Sequence, residues 1–164
     1  MARILVILYS RSGYTKTIAE AIASACHADM EVIRDGARRG LFGYLRSGFE
    51  ATRKKLPDIE PIEKDPSRYD LIVIGTPVWA ANIASPVRTF ITRYKDKFRN
   101  VAFFCTLGGS GAEKVLDDLT QLCGKSPIAT VAITDDEIKH GSYQGKLDDF
   151  VRLIQEAVQK TAPV

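Results

Sequence analysis

The stretch Ser10-Arg11-Ser12-Gly13-Tyr14-Thr15 is dense in groups that hold anions. Ser10, Ser12 and Thr15 bring hydroxyl donors, and Gly13 permits a tight backbone turn. A run with helical spacing follows at once, and the first turn of a helix presents unpaired N–H groups at the positive end of its dipole. Together these can enclose a phosphate. A plain helix cap would use only one of the hydroxyls, so the surplus argues for an anion. Two other stretches are rich in small hydroxyl residues, glycine or aromatic surface: Thr76-Pro77-Val78-Trp79-Ala80-Ala81-Asn82 and Thr106-Leu107-Gly108-Gly109-Ser110-Gly111.

The elements that must position these loops are legible from apolar runs. RILVILY (3–9), MEVIRD (30–35), YDLIVIG (69–75), NVAFFCT (100–106) and IATVAIT (128–134) have strand length and near-continuous apolar character, as expected of strands covered on both faces. Between them lie helical patterns. In 15–26, Ile18, Ala21, Ile22 and Ala25 share a face. SPVRTFITRY (85–94) begins with Ser-Pro, which suits a helix start. The segment 111–124 is closed by Gly124. In 145–160, Leu147, Phe150, Val151, Ile154 and Val158 line one side. Strands alternating with helices predict an α/β fold, a five-stranded parallel sheet in three layers, as a single domain over 1–164. In such a sheet ligands bind beyond the carboxyl ends of the strands. The three polar loops follow the first, third and fourth predicted strands and would converge there.

Composition narrows the choice of function. The 164 residues carry 45% hydrophobic and 26% charged side chains, ordinary values for a globular protein. No apolar run reaches membrane-spanning length, and the start reads as a strand and not a signal peptide, so a cytoplasmic protein is expected. Cys26, Cys105 and Cys123 form no C-x-x-C pair, and with only His27 and His140 there is no metal-ligand spacing. The net charge of +3 is too small to argue for nucleic acid, but residues 34–55 carry +5 of it. Leu41, Leu45, Phe49 and Thr52 predict an amphipathic helix there, weakened by about 1 kcal/mol for each interior glycine. Its charges are read as a solvated face, in preference to a docking patch spanning 38–55. Other phosphate motifs fit worse: Gly124-Lys125-Ser126 has Leu119 where a Walker loop needs glycine, and no G-x-G-x-x-G follows the first strand.

On these motifs the sequence resembles the flavodoxin family. Ser10-Arg11-Ser12-Gly13-Tyr14-Thr15 matches its S/T-x-S/T-G-x-T phosphate loop, and GTPVWAANIASPVRTF (75–90) and FCTLGGSGAE (104–113) look like its second and third flavin loops. The resemblance implies FMN, bound non-covalently, and a flavodoxin-like strand order 2-1-3-4-5. It also implies that Ser10, Arg11, Ser12, Gly13, Tyr14 and Thr15 hold the phosphate. Thr76, Pro77, Val78, Trp79, Ala80 and Asn82 would line the isoalloxazine ring, with Trp79 stacked on it. Thr106, Leu107, Gly108, Gly109 and Ser110 would close the other side.

The departures bear on partners. Many electron-carrying flavodoxins are strongly acidic and carry a tyrosine in the third loop; this chain is slightly basic, and its third loop has no aromatic residue. The resemblance therefore implies either an electron carrier for a redox partner protein or an enzyme that takes NAD(P)H and a quinone-like acceptor at an open flavin face. Tyr44 or Phe49 is an alternative cover for that face. A glycine whose peptide turns over on reduction is frequent in the second loop of flavodoxins. Ala80 and Ala81 take positive φ less readily, so weaker one-electron specialisation is expected. No catalytic role is given to His140, and Cys105 is read as strand packing.

Overall fold

The computed structural model describes residues 2–36 and 56–161; the predicted helix around 41–52, the basic segment 38–55, and Tyr44 and Phe49 lie outside them. The elements run β1 (Ile4–Leu8), α1 (Tyr14–Cys26), β2 (Asp29–Val32), β3 (Leu71–Trp79), β4 (Asn82–Ile83), α2 (Ser85–Tyr94), β5 (Val101–Leu107), α3 (Ala112–Cys123), β6 (Thr130–Thr134), α4 (Asp135–His140) and α5 (Gln144–Thr161). The sheet order is β2-β1-β3-β5-β6, with β4 paired antiparallel to β3. Setting the two-residue β4 aside, this is the expected 2-1-3-4-5 order of five parallel strands. The chain steps from β1 to β2 on one side and to β3 on the other, so the order reverses between β1 and β3. That is where an open α/β sheet leaves a crevice.

Alternation along the strands divides the core into two layers. Leu5, Ile7, Ile72, Ile74 and Phe103 face α2 and α3, where they meet Val87, Phe90, Ile91, Val115 and Leu119. Ile4, Val6, Leu8, Leu71, Val73 and Phe104 face α1 and α5, against Ile18, Ile22, Phe150 and Ile154. Each fully buried aliphatic or aromatic side chain of this kind contributes roughly 1.5–3 kcal/mol. Sheet and helices meet tightly enough to dictate one residue outright: a Cβ on Gly75 would lie 2.0 Å from Cζ of Phe104, so only glycine fits beneath that ring.

The strand ends are staggered where the site lies. β1 stops at Leu8, opposite Gly75, whereas β3 runs on with Pro77 opposite Thr106 and ends only at Trp79. The sequence reading ended this strand at Gly75-Thr76-Pro77. Proline is tolerated because ladder contact with β1 has ceased by that point, so the missing N–H deprives no neighbour. The overrun, Val78-Trp79, folds back on Asn82-Ile83 as a hairpin standing beyond the sheet. Helix α4 also lies in a segment for which the sequence predicts no element. Thr134 and Glu137 form a reciprocal capping box that starts it, and Gly141 ends it in a left-handed conformation.

Candidate functional site

The first loop turns at Gly13, with φ 96°, and enters α1. Ser10 Oγ accepts from the backbone N–H of Gly13 at 3.1 Å and of Lys16 at 3.3 Å, tying the loop to the first turn of the helix. The backbone N–H groups of Arg11, Ser12, Tyr14 and Thr15 have no hydrogen-bond partner among the described residues. Ser12 and Gly13 are exposed beside them. Unpaired amides at the positive end of a thirteen-residue helix, with a free hydroxyl among them, fit a phosphate group. Thr15 is placed differently from its neighbours. It is buried, and its hydroxyl lies 2.8 Å from that of Thr106 on β5, so this pair fastens the first loop to the third.

The second loop is the β3–β4 hairpin. Thr76 is fully buried; its hydroxyl donates to the carbonyl of Pro77 at 2.8 Å and accepts from the N–H of Ala84 at 3.0 Å, pinning the hairpin's base. The turn itself is Ala80-Ala81, with φ of 48° and 61°. Positive φ at both central residues of a two-residue loop is the type I′ geometry, normally filled by Asn-Gly. Alanine does take the conformation here, at a cost. Trp79, half-buried, meets Tyr9 edge-on, with centroids 5.5 Å apart and planes at 88°. The Arg11 guanidinium carbon sits 5.4 Å from the Trp79 ring centroid. The tryptophan therefore connects the first loop to the second. The Tyr9 hydroxyl donates to Asp35 at 3.0 Å. Burial, then the charge and hydrogen bond of Asp35, push its pKa up to about 12 against the opposing effect of Arg11.

The third loop leaves β5 with Leu107 buried and Gly108, Gly109 and Ser110 exposed. Gly111, with φ 100°, begins α3, and a Cβ there would come within 3.0 Å of Ala81 Cα. The third loop thus leans directly on the second. Lys114, one turn into α3, donates to the carbonyl of Ala81 at 3.2 Å, to Asn82 Oδ1 at 3.1 Å and to Asp118 at 2.8 Å. Asn82 in turn donates to the carbonyl of Ala80 at 3.0 Å.

The residues singled out from sequence therefore share one end of the sheet, with contacts linking each loop to the other two. Tyr9, Asp35 and Lys114 belong to the same assembly and were not read from the sequence as site residues. Tyr9 ends the first apolar run, and a cation in a helix's first turn, where the dipole disfavours it, was a legible oddity at Lys114. His140 is exposed, with Nδ1 2.8 Å from the carbonyl of Asp136 in its own helix. Cys105 is buried in the sheet, and burial pushes its thiol up to about 12. A cavity of about 350 Å³ along β2, lined by Met30, Glu31, Arg34, Ile62 and Lys64 among others, shares no residue with the three loops. The Glu31 carboxylate there is already engaged by the N–H groups of Glu63 and Lys64. Among the described residues no helix is long and apolar enough to cross a membrane.

The sequence model of the flavodoxin family matches residues 3–144. Among solved structures, the chain is similar to a flavoprotein in complex with FMN from Lactobacillus acidophilus NCFM. Identity there is 25% and TM-score 0.69, over 87% of this chain and 99% of that one. The apo-form of the flavoprotein from the same organism matches at 28% identity and TM-score 0.62, over 85% and 97% of the two chains. Oxidised flavodoxin 1 from Bacillus cereus, 18% identical with TM-score 0.56 over 99% and 100%, shares the fold.

Proposed function

The chain belongs to the flavodoxin family, and from that premise we propose that it binds FMN non-covalently at the three loops and passes electrons through it. The observation that carries this reading is the first loop: four unpaired backbone N–H groups and the Ser12 hydroxyl around the start of α1. FMN supplies the redox chemistry when bound, as electron or hydride transfer, and the protein supplies position and environment. Ser12 and the unpaired amides of Arg11, Ser12, Tyr14 and Thr15 would hold the phosphate. Trp79, braced by Tyr9, offers an aromatic wall for the ring. Arg11 lies against that wall and would bring a positive charge to the site. Thr15 and Thr106 keep the first and third loops at fixed separation. The cytoplasm is the proposed location, a reducing compartment in keeping with three free cysteines.

A second reading is favoured by one specific feature. The third loop, Thr106–Gly111, contributes no aromatic side chain, and Gly108, Gly109 and Ser110 are exposed. A flavin face left open on that side admits a second planar molecule, which supports an NAD(P)H-dependent enzyme reducing a quinone-like acceptor. A carrier serving a redox partner protein needs no such opening.

The test is a titration of flavin-free protein with FMN and with riboflavin, followed by emission of Trp79, the single tryptophan, and by thermal unfolding. FMN is expected to quench emission and raise the melting temperature. Riboflavin, lacking the phosphate, is expected to bind roughly a hundredfold more weakly. Ser12→Glu should abolish the FMN effect. FMN leaving both signals unchanged would refute the proposal. For the loaded protein, NADPH consumption with a quinone and no added reductase favours the enzyme; its absence favours the carrier.

A further inference from the structure

We propose that Lys114 is a positioning residue for the flavin site, its ammonium group holding the left-handed Ala80-Ala81 turn in shape and with it the adjoining Trp79. The inference rests on the FMN reading above and adds to it a residue outside the three loops.

The placement of Lys114 runs against helix physics. It occupies the first turn of α3, where the helix dipole opposes a cation. A lysine has three N–H donors, and here each has an acceptor: Ala81 O, Asn82 Oδ1 and Asp118 Oδ2. Asp118, one turn further along α3, offsets the charge and aims the side chain. The other two acceptors belong to the hairpin.

The contact to Asn82 extends the reach of Lys114. An ammonium group can approach only the amide oxygen, so it fixes which way the Asn82 amide faces. That leaves the NH₂ group of Asn82 toward the carbonyl of Ala80, which accepts from it at 3.0 Å. Both carbonyls of the turn are thus held, one by Lys114 directly and one through Asn82. The turn needs holding, because alanine disfavours φ of 48° and 61°. Gly111 packs against Ala81 from the same helix start, so α3 grips the turn by backbone and by side chain. Without Lys114 the two alanines keep only the packing of Gly111 and the bond from an unaimed Asn82 against their strain, and Trp79, the residue before them, loses one of its supports.

The experiment uses the full chain freed of flavin, as Lys114→Met, Lys114→Gln and Lys114→Arg, with Arg152→Met on α5 as a control for loss of surface charge. Amide hydrogen exchange over residues 80–83 reads the clamp with no flavin present. Trp79 quenching by FMN and the position of the bound-flavin absorbance band read the site. Lys114→Met and Lys114→Gln are expected to raise exchange over 80–83 severalfold, to weaken FMN roughly tenfold and to shift the band. Lys114→Arg should restore most of each, and Arg152→Met should match the parent. Unchanged exchange in Lys114→Met overturns the clamp. Raised exchange with unaltered FMN affinity and band overturns the positioning role. Failure of the parent chain itself to bind FMN would instead sink the functional reading, and the inference with it, a result distinct from variants that behave like the parent.

Discussion

Replacing Ala80-Ala81 with Asn-Gly should make this protein more stable, although the change deletes a methyl group and introduces a flexible residue. The turn holds two L-alanines at positive φ, 48° and 61°, and left-handed backbone costs a non-glycine residue roughly 1–2 kcal/mol. Asparagine tolerates the conformation and glycine adopts it freely, so on the order of 2 kcal/mol of native-state strain is released. Glycine also loosens the unfolded chain, which takes back about 0.4–1 kcal/mol. Ala80 is exposed, so the larger asparagine side chain meets no steric limit there. The carbonyls of residues 80 and 81 keep their bonds to Asn82 and Lys114, which do not depend on the side chains replaced. The net gain is about 1 kcal/mol, equivalent to a rise of about 2–4 °C in Tm for a domain of this size. Thermal unfolding of flavin-free parent and double variant, followed by far-ultraviolet circular dichroism in one buffer, reads it directly. Ala80→Val, a β-branched residue in the same conformation, should move Tm down. An unchanged or lowered Tm in the Asn-Gly variant would refute the strain argument, because the only sizeable term of opposite sign has already been subtracted.

Two further outcomes follow from contacts elsewhere in the site and at its edge. Thr15→Val and Thr106→Val each strand one buried hydroxyl of the 2.8 Å pair and should cost about 1–3 kcal/mol. The double variant removes both and should be far less destabilised than their sum, so a denaturant double-mutant cycle giving simple additivity would show that the two hydroxyls do not interact. Glu137→Gln tests the cap of α4. The hydrogen bond from Lys146, and then the backbone N–H of Thr134, hold the Glu137 carboxyl below its ordinary 4.5 in the folded protein. A depressed folded pKa stabilises above the unfolded value and is lost as pH falls through the folded one. Glu137→Gln should therefore be less stable than the parent at pH 7, and the gap should close as pH drops below 4.5. A gap that persists into acid would assign the effect to something other than ionisation.

The parallel core was legible because both faces of the sheet are covered. ILVIL in β1 and VAFFCTL in β5 are buried at every position, and runs with no charged member and a single hydroxyl between them have no other comfortable home. The helices were legible from Pro86 at one start and Gly124 at one end, residues whose backbone preferences act locally. The hairpin was not. Ala-Ala carries no turn signature, and its conformation is imposed by Lys114, Asn82 and Gly111 against local preference. The Thr15–Thr106 pair joins residues 91 positions apart, a relation that only the registers of β1 against β3 and of β3 against β5 establish. Helix α4 escaped notice although Thr134 and Glu137 have capping-box spacing, because six residues are too few to develop an apolar face.

The hairpin also bears on the choice between the two proposed readings. A two-residue β-turn has two related geometries, I′ and II′, that differ by rotation of the central peptide. Type II′ places its first central residue in a region of positive φ with strongly negative ψ that is open essentially to glycine alone. With Ala80 at that position the II′ form is closed, and the 80–81 peptide is confined to the I′ orientation. Asn82, bonded to the carbonyl of Ala80 and itself held by Lys114, opposes the same rotation from outside. A glycine would remove the steric bar and leave only the bond from Asn82 to break. One-electron carriers of this family often have a glycine in that loop, whose peptide turns over as the flavin is reduced. A turn held by its side chains and by Asn82 resists such a rotation. The hold is in keeping with the second of the two proposed readings, on grounds independent of the surface charge that first set this chain apart from the acidic carriers.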